Sequence, residues 1–194
     1  MTATRIRTPF DPEKWIPIPL DYLDTEWANA GEWAASIAEE ASRGRPGERE
    51  LAAAIEEHAL SIALHPAEHV GARFWHFPTE GVPTGFVDVY VEARADDGID
   101  PADLLPEVGF TVLEPVVEQV VGDFFPRAVR RLTVNAVLTS DDAEPTLMPK
   151  AEWLGIREGW VGYLVSLDHD TNALSSRIED IDELFRTLDP ERLS

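Results

Sequence analysis

Residues 64–70 read LHPAEHV and contain His65-x-x-Glu68-His69. On a helix, two histidines four apart share one face and can bind one zinc ion. The glutamate between them can activate the metal-bound water. Such a site would make the protein a metal-dependent hydrolase. Pro66 is the obstacle. Proline fits only the first turn of a helix, which would push His65 out to the N-cap. Val70-Gly71 then stops any helix within a turn, and a strand pattern begins at Ala72. The simpler expectation is a loop leaving a helix, with Pro66 as its stop signal.

Two further clusters carry chemical groups. Asp168-His169-Asp170 could hold a divalent cation or tune a general base. Adjacent residues on a strand point to opposite faces, however, and Asp170 or Asn172 as a helix N-cap accounts for the polarity without a function. Arg127, Arg130 and Arg131 could recognise a carboxylate or phosphate. In a chain this acidic, ion pairing with the surplus of Asp and Glu is the plainer expectation. No Gly-rich phosphate loop and no Gly-x-Ser-x-Gly elbow occurs in the sequence. Ser36, Ser61 and Ser166 lack suggestive neighbours.

A different candidate follows from strand alternation. Asp88, Tyr90 and Glu92 would share one face of one strand, and Arg131, Thr133 and Asn135 one face of another. If the two strands were neighbours, two carboxylates, a phenol, a guanidinium and an amide would meet on one surface. A helical hairpin arching over it, with Trp27 and Trp33 as walls, would make a ligand pocket. The plain alternative is an ordinary solvated sheet face.

These groups must be positioned by the elements around them. The chain has 194 residues, 44% of them hydrophobic, enough for one domain with a proper core. Residues 8 to 23 hold four prolines and should run extended across the surface, pinned by Phe10, Trp15, Ile16, Ile18 and Leu20. Asp24 or Thr25 is expected to cap a first helix, with Trp27, Ala30, Ala34, Ile37 and Ala41 in its stripe. After the break at 42 to 47, a second helix should run from about 48 to 64, with Leu51, Ile55, Ala59 and Ile62 buried and His58 at the edge. Beyond residue 72 the period changes to two. Strands are expected at 73–77, 86–93, 127–138, 147–156 and 160–168. A third helical region, 101 to 122, should be divided by Pro106 and Pro115. Ala128, Leu132, Val134, Ala136 and Leu138 should share the inner face of their strand. A last helix should place Leu174, Ile178, Ile181, Phe185 and Leu188 on the sheet, with Pro190 just past its end. The order predicts an α+β fold: a mostly antiparallel sheet with helices packed on it, preceded by an N-terminal helical hairpin in residues 1–70.

From about residue 70 to 190, this succession resembles the PsbP-like α/β/α sandwich superfamily, nearest its LpqN-type bacterial branch. The features that carry the likeness are a strand pair, a helical crossover and a three-strand meander closed by Gly159-Trp160-Val161-Gly162-Tyr163. A terminal helix ending in IDELFRTL completes it. The likeness does not extend to the N-terminal hairpin. The LpqN type also carries a secretory or lipoprotein leader, which is not seen in this sequence. The resemblance implies a non-catalytic protein that binds protein or lipid partners, and it supplies no catalytic motif.

Charge narrows the partners. The chain carries 37 acidic against 16 basic residues, a formal net charge of -21. Such a surface repels nucleic-acid phosphates and anionic headgroups, and favours a basic partner or cations. The six tryptophans lie among glutamates, the wrong chemistry for stacking bases beside phosphates. Absence of cysteine excludes disulfides and thiolate sites. No apolar leader or membrane-spanning stretch is seen, so a soluble, cytoplasmic protein is expected. The leading expectation is a non-catalytic binding or interaction protein without a cofactor, its protein or small-molecule partner unidentified. The rivals are a metal-dependent hydrolase using His65, Glu68 and His69, and a structural subunit of a homo-oligomer.

Overall fold

The structure, a computed structural model, describes residues 9–78, 83–94, 98–137 and 144–189. Leu138 and Pro190, both assigned roles above, lie outside the described residues. The architecture is α+β: an open seven-stranded antiparallel sheet with helices on both faces. The strands are β1 (Trp15–Ile18), β2 (Ala72–His76), β3 (Gly85–Arg94), β4 (Val116–Gln119), β5 (Arg127–Val137), β6 (Thr146–Arg157) and β7 (Gly159–Leu167). Their order across the sheet is β1-β2-β3-β7-β6-β5-β4. The helices are α1 (Ala30–Ser42), α2 (Glu48–Ala63), α3 (Pro101–Leu104) and α4 (Thr171–Thr187). Among the described residues, no helix is long and apolar enough to cross a membrane.

α4 covers one face. Its stripe meets the sheet as periodicity predicts: Leu174, Ile181, Phe185 and Leu188 are buried against Val87 and Val89, with Ile178, Val91 and Leu132 packed at the margin. Val134, expected on this face, is not in that core. Asp170 caps the helix, its side chain accepting from the Asn172 amide at 2.8 Å. Phe125 stacks on Phe185, ring centroids 5.7 Å apart, and lies in a gap left by Gly155 and Gly162, which pair in register on β6 and β7. A Cβ on Gly162 would stand 2.5 Å from Phe125 Cζ, and one on Gly155 2.5 Å from Phe125 Cγ. A residue smaller than alanine is therefore required at both positions for the ring to seat.

The α1–α2 hairpin and α3 share the other face. Trp33, Ala34, Ala38, Ile55, Ala59 and Ile62 pack over Trp75, Phe77 and Ile18, at the β1–β2 end. Leu105, just past α3, packs on Val129, Leu154 and Ile156. The N-cap of α1 is Asn29, not Asp24 or Thr25. Its side chain accepts from the Glu32 amide at 3.1 Å, and Glu32 Oε2 accepts from the Ala28 amide at 2.8 Å. This reciprocal pair closes the helix start more completely than the earlier candidates could.

Two expectations are corrected. The proline-rich N-terminal stretch does more than lie on the surface. Trp15–Ile18 is an edge strand paired with β2, and Trp15 and Ile18 are buried. Pro17 is tolerated because an edge strand has an unpaired side. The third helical region is helical only at Pro101–Leu104. Residues 116–119 form β4, and Thr111 bridges to Asn135 on β5. Pro106 and Pro115 break the helix, and the β-branched Val116-Val117 and Val120-Val121 pairs favour a strand.

Candidate functional site

The HPAEH segment serves the fold through its backbone. α2 ends at Ala63, with Leu64 as C-cap, and His69 has a left-handed φ of 62°. His65 and His69 therefore do not share a helical face. The partner of this segment is Arg73, a charged residue inside the apolar run of β2 and only 1% exposed. Its guanidinium donates to the carbonyls of Ile62 (3.0 Å), His65 (2.8 Å) and Pro66 (2.9 Å). It also forms a fork with Asp88, at 2.5 Å to Oδ1 and 2.9 Å to Oδ2. All five N–H groups are thereby used. The cation sits at the negative end of α2 and clamps the hairpin to β2 and β3. The His65 ring packs on Phe86, centroids 5.2 Å apart. Among the described residues, no group of three or more His, Asp or Glu is placed to hold a metal ion.

Asp168, His169 and Asp170 also diverge. Asp168 accepts from the amides of His169 and Asp170 and from Arg177 Nη1 at 2.7 Å. His169 is exposed. The three arginines split across the sheet. Arg130 reaches Asp182 on α4 and Glu118 on β4, whereas Arg127 donates to the Ile99 carbonyl and Arg131 to the Pro106 carbonyl on the other side.

The two trios do share a face, but β3 and β5 are not neighbours. The register aligns Asp88, Val165, Glu152 and Arg131 in one row across β3, β7, β6 and β5. Three strand spacings, about 14 Å, separate Asp88 from Arg131. Asp88 is held by Arg73. Arg131 is held by Glu152, its Nε donating to Oε2 at 2.8 Å. Glu152 is fully buried, and its Oε1 accepts from Tyr163 Oη at 2.7 Å and pairs with Lys150 Nζ at 2.8 Å. Two cations and a phenol therefore compensate one buried carboxylate. Burial, and then the neighbouring Glu152 charge, hold the Tyr163 phenol far above its ordinary range, so it remains a proton donor. Thr133 and Asn135 lie farther along β5, opposite Lys150 and Met148. Their Oγ1 and Oδ1 have no hydrogen-bond partner among the described residues.

Tyr90 and Glu92 are the members of the set that border a concavity. A cleft of about 250 Å³ opens between α3 and the centre of the sheet. Leu154, Val161 and Leu104 form its apolar lining, Tyr90 and Tyr163 one wall, and Glu92, Arg94 and Pro106 the rest. The two phenol rings lie 5.6 Å apart, tilted by 45°. Glu92 and Arg94 are both exposed, and the Arg94 side chain has an interaction of its own. Burial, and then Asp88, raise the Tyr90 phenol, so both tyrosines are neutral near pH 7. The arrangement offers aromatic faces, an aliphatic floor and, at the rim, one solvent-facing carboxylate beside a guanidinium that already has an interaction. Trp27 and Trp33 do not line it; Trp33 is buried under the hairpin. A larger groove of about 380 Å³ between α1 and α2 is walled by alanines and charged side chains without an aromatic group.

Sequence reasoning found Tyr90 and Glu92 but missed Tyr163, Leu154 and Val161. Their signal was present: 161 and 163 alternate on β7 as 90 and 92 do on β3. What was lacking was the knowledge that β7 inserts beside β3. Comparison of the chain with family models, with curated proteins and with solved structures finds no match.

Proposed function

We propose that the protein is a non-catalytic binding protein whose sheet cleft takes a small amphipathic molecule with a cationic end. The observation that carries this reading is the lining: Tyr90 and Tyr163 over Leu154 and Val161, with the Glu92 carboxylate at the rim. Aromatic faces attract a cation through their quadrupole, and a carboxylate at the mouth adds a charge partner. The volume suits a ligand at or below the small end of the usual range of roughly 300–1,000 Å³. A net charge of -21 raises the local concentration of cations. The cleft's tyrosines are neutral donors, and the two buried carboxylates nearest it, Glu152 and Asp88, are each held by cationic partners. A PsbP-like kinship for residues 70 to 190, with its mainly partner-binding members, and a cytoplasmic setting belong to the same proposal.

Calorimetric titration with 4-phenylbutylamine and with 4-phenylbutyrate tests it. The amine should bind and the acid should not. Glu92→Gln should weaken the amine, whereas Glu57→Gln on the exposed side of α2 should not. Equal weakening by both variants would reduce the effect to general attraction by an acidic surface and overturn the reading.

A further inference from the structure

We propose that the outer edge of β4 is a docking site for an extended segment of a partner protein, rich in lysine or arginine alternating with apolar residues, which adds to the sheet as an eighth strand. Among the described residues, β4 is the terminal strand and pairs only with β5, and all four of its residues are exposed. The Val120 amide donates inward to the Ala128 carbonyl. By alternation along an antiparallel strand, the backbone groups of Val117 and Gln119 face outward, available to another chain. Protein edges of this kind are normally blunted by lysine, by proline or by a covering element. Pro115 blocks only the entry to β4, and no lysine is present.

Apolar surface surrounds this edge. Phe110 is 75% exposed, Leu113 65%, Val116 50%, Val117 47% and Val121 82%. Such side chains, clustered on one edge rather than scattered, mark an interaction surface. The charge of the region then selects the partner. From Gly98 to Pro126 the chain carries six carboxylates and no lysine or arginine. Glu118 already pairs with Arg130, but a second copy of this chain would still set Glu107 and Glu114 against the same acidic strip, an unfavourable like-charge contact. A basic, apolar strand satisfies the backbone, the apolar side chains and the carboxylates together. Main-chain hydrogen bonds would supply affinity, and alternate side chains the specificity.

The test uses the whole protein and a fluorescein-labelled peptide of alternating lysine and valine, followed by anisotropy. Controls are the same peptide N-methylated at alternate backbone amides and its glutamate–valine counterpart. The unmodified basic peptide should bind and both controls should fail. The double substitution Val117→Gln/Val121→Gln changes exposed side chains and no charge, so the fold should persist by circular dichroism. It should weaken the peptide roughly tenfold or more, as loss of apolar anchors does. Retained binding of the N-methylated peptide, or indifference to the double substitution, would show charge attraction alone and overturn the proposal. Sedimentation revealing a dimer that the double substitution dissolves would make a second copy the occupant, and would overturn it equally.

Discussion

Adding one methyl group to Gly162 should destabilise the protein, and the cost should depend on Phe125. The Cβ of Gly162→Ala would stand 2.5 Å from Phe125 Cζ, 2.9 Å from Cε2 and 3.3 Å from Leu188 Cδ2. Phe125 is fully buried and stacked on Phe185, so the ring cannot swing aside. Overpacking of this kind typically costs about 1–3 kcal/mol. Relief of unfolded-chain entropy on Gly→Ala returns up to ~1 kcal/mol, so the net loss is the smaller part of that range. Urea unfolding at 25 °C should show it directly. In a chain of this size each kcal/mol also moves the melting temperature by about 2–4 °C. Phe125→Leu removes the Cζ atom in the way. In that background Gly162→Ala should be close to neutral, giving a coupling of about 1–2 kcal/mol, within the range for residues in contact. Gly109→Ala, with open space around its Cβ, serves as the control and should change little. Equal costs at residue 162 in both backgrounds, or no cost in either, would refute the packing described for this face.

Other outcomes follow from the buried charges. Arg73→Leu strips Asp88 of its partner and frees three carbonyls at the end of α2, so it should destabilise by roughly 3–5 kcal/mol, measured by urea unfolding. Retention of wild-type stability would show that the clamp is ornamental. His76 sits between Thr84 Oγ1 (2.6 Å) and Asp180 Oδ2 (2.8 Å), and burial outweighs the Asp180 hydrogen bond to push its pKa below the usual 6.5. On acidification the unfolded chain therefore takes up this proton before the folded one does. His76 thus contributes a loss of stability that begins near pH 6.5 and grows as pH falls toward the folded value. The melting temperature should fall more between pH 7.5 and 5.5 in the wild type than in His76→Gln; identical pH slopes would contradict this. Zinc added to metal-free protein should not bind tightly at one equivalent, because His65 and His69 share no helical face. A tight equivalent lost in both His65→Ala and His69→Ala would reverse that expectation.

The stripes were legible because they are local. Ile55, Ala59 and Ile62 on α2, and Leu174, Ile181 and Phe185 on α4, are all buried where their spacing places them. The β6–β7 hairpin is equally local: Gly159, at its turn, has φ 86°, in the left-handed region that glycine favours. β4 was misread as helix because a short apolar run such as VVEQVV fits either period, and only its β-branched content argues for a strand. The candidate site was half legible. Alternation put Asp88, Tyr90 and Glu92 on one face, and Arg131, Thr133 and Asn135 on the same face, but which strand lies beside which is a non-local fact. Glu152 escaped notice inside an apolar strand, although a carboxylate spaced two residues from Lys150 signals a buried pair. Arg73, beside the apolar Phe74 and Trp75, carried the same kind of signal. The HPAEH motif misled because a motif names side chains, while this segment is held through its carbonyls.

Binding in the sheet cleft is tested most directly by titrating ¹⁵N-labelled protein with 4-phenylbutylamine and mapping amide shifts. Saturable shifts should concentrate at Tyr90, Glu92, Leu154, Val161 and Tyr163, leave α1 and α2 quiet, and disappear in Tyr90→Ala/Glu92→Gln. Shifts spread evenly over the acidic surface, or a spectrum unmoved at the cleft, would contradict the binding function.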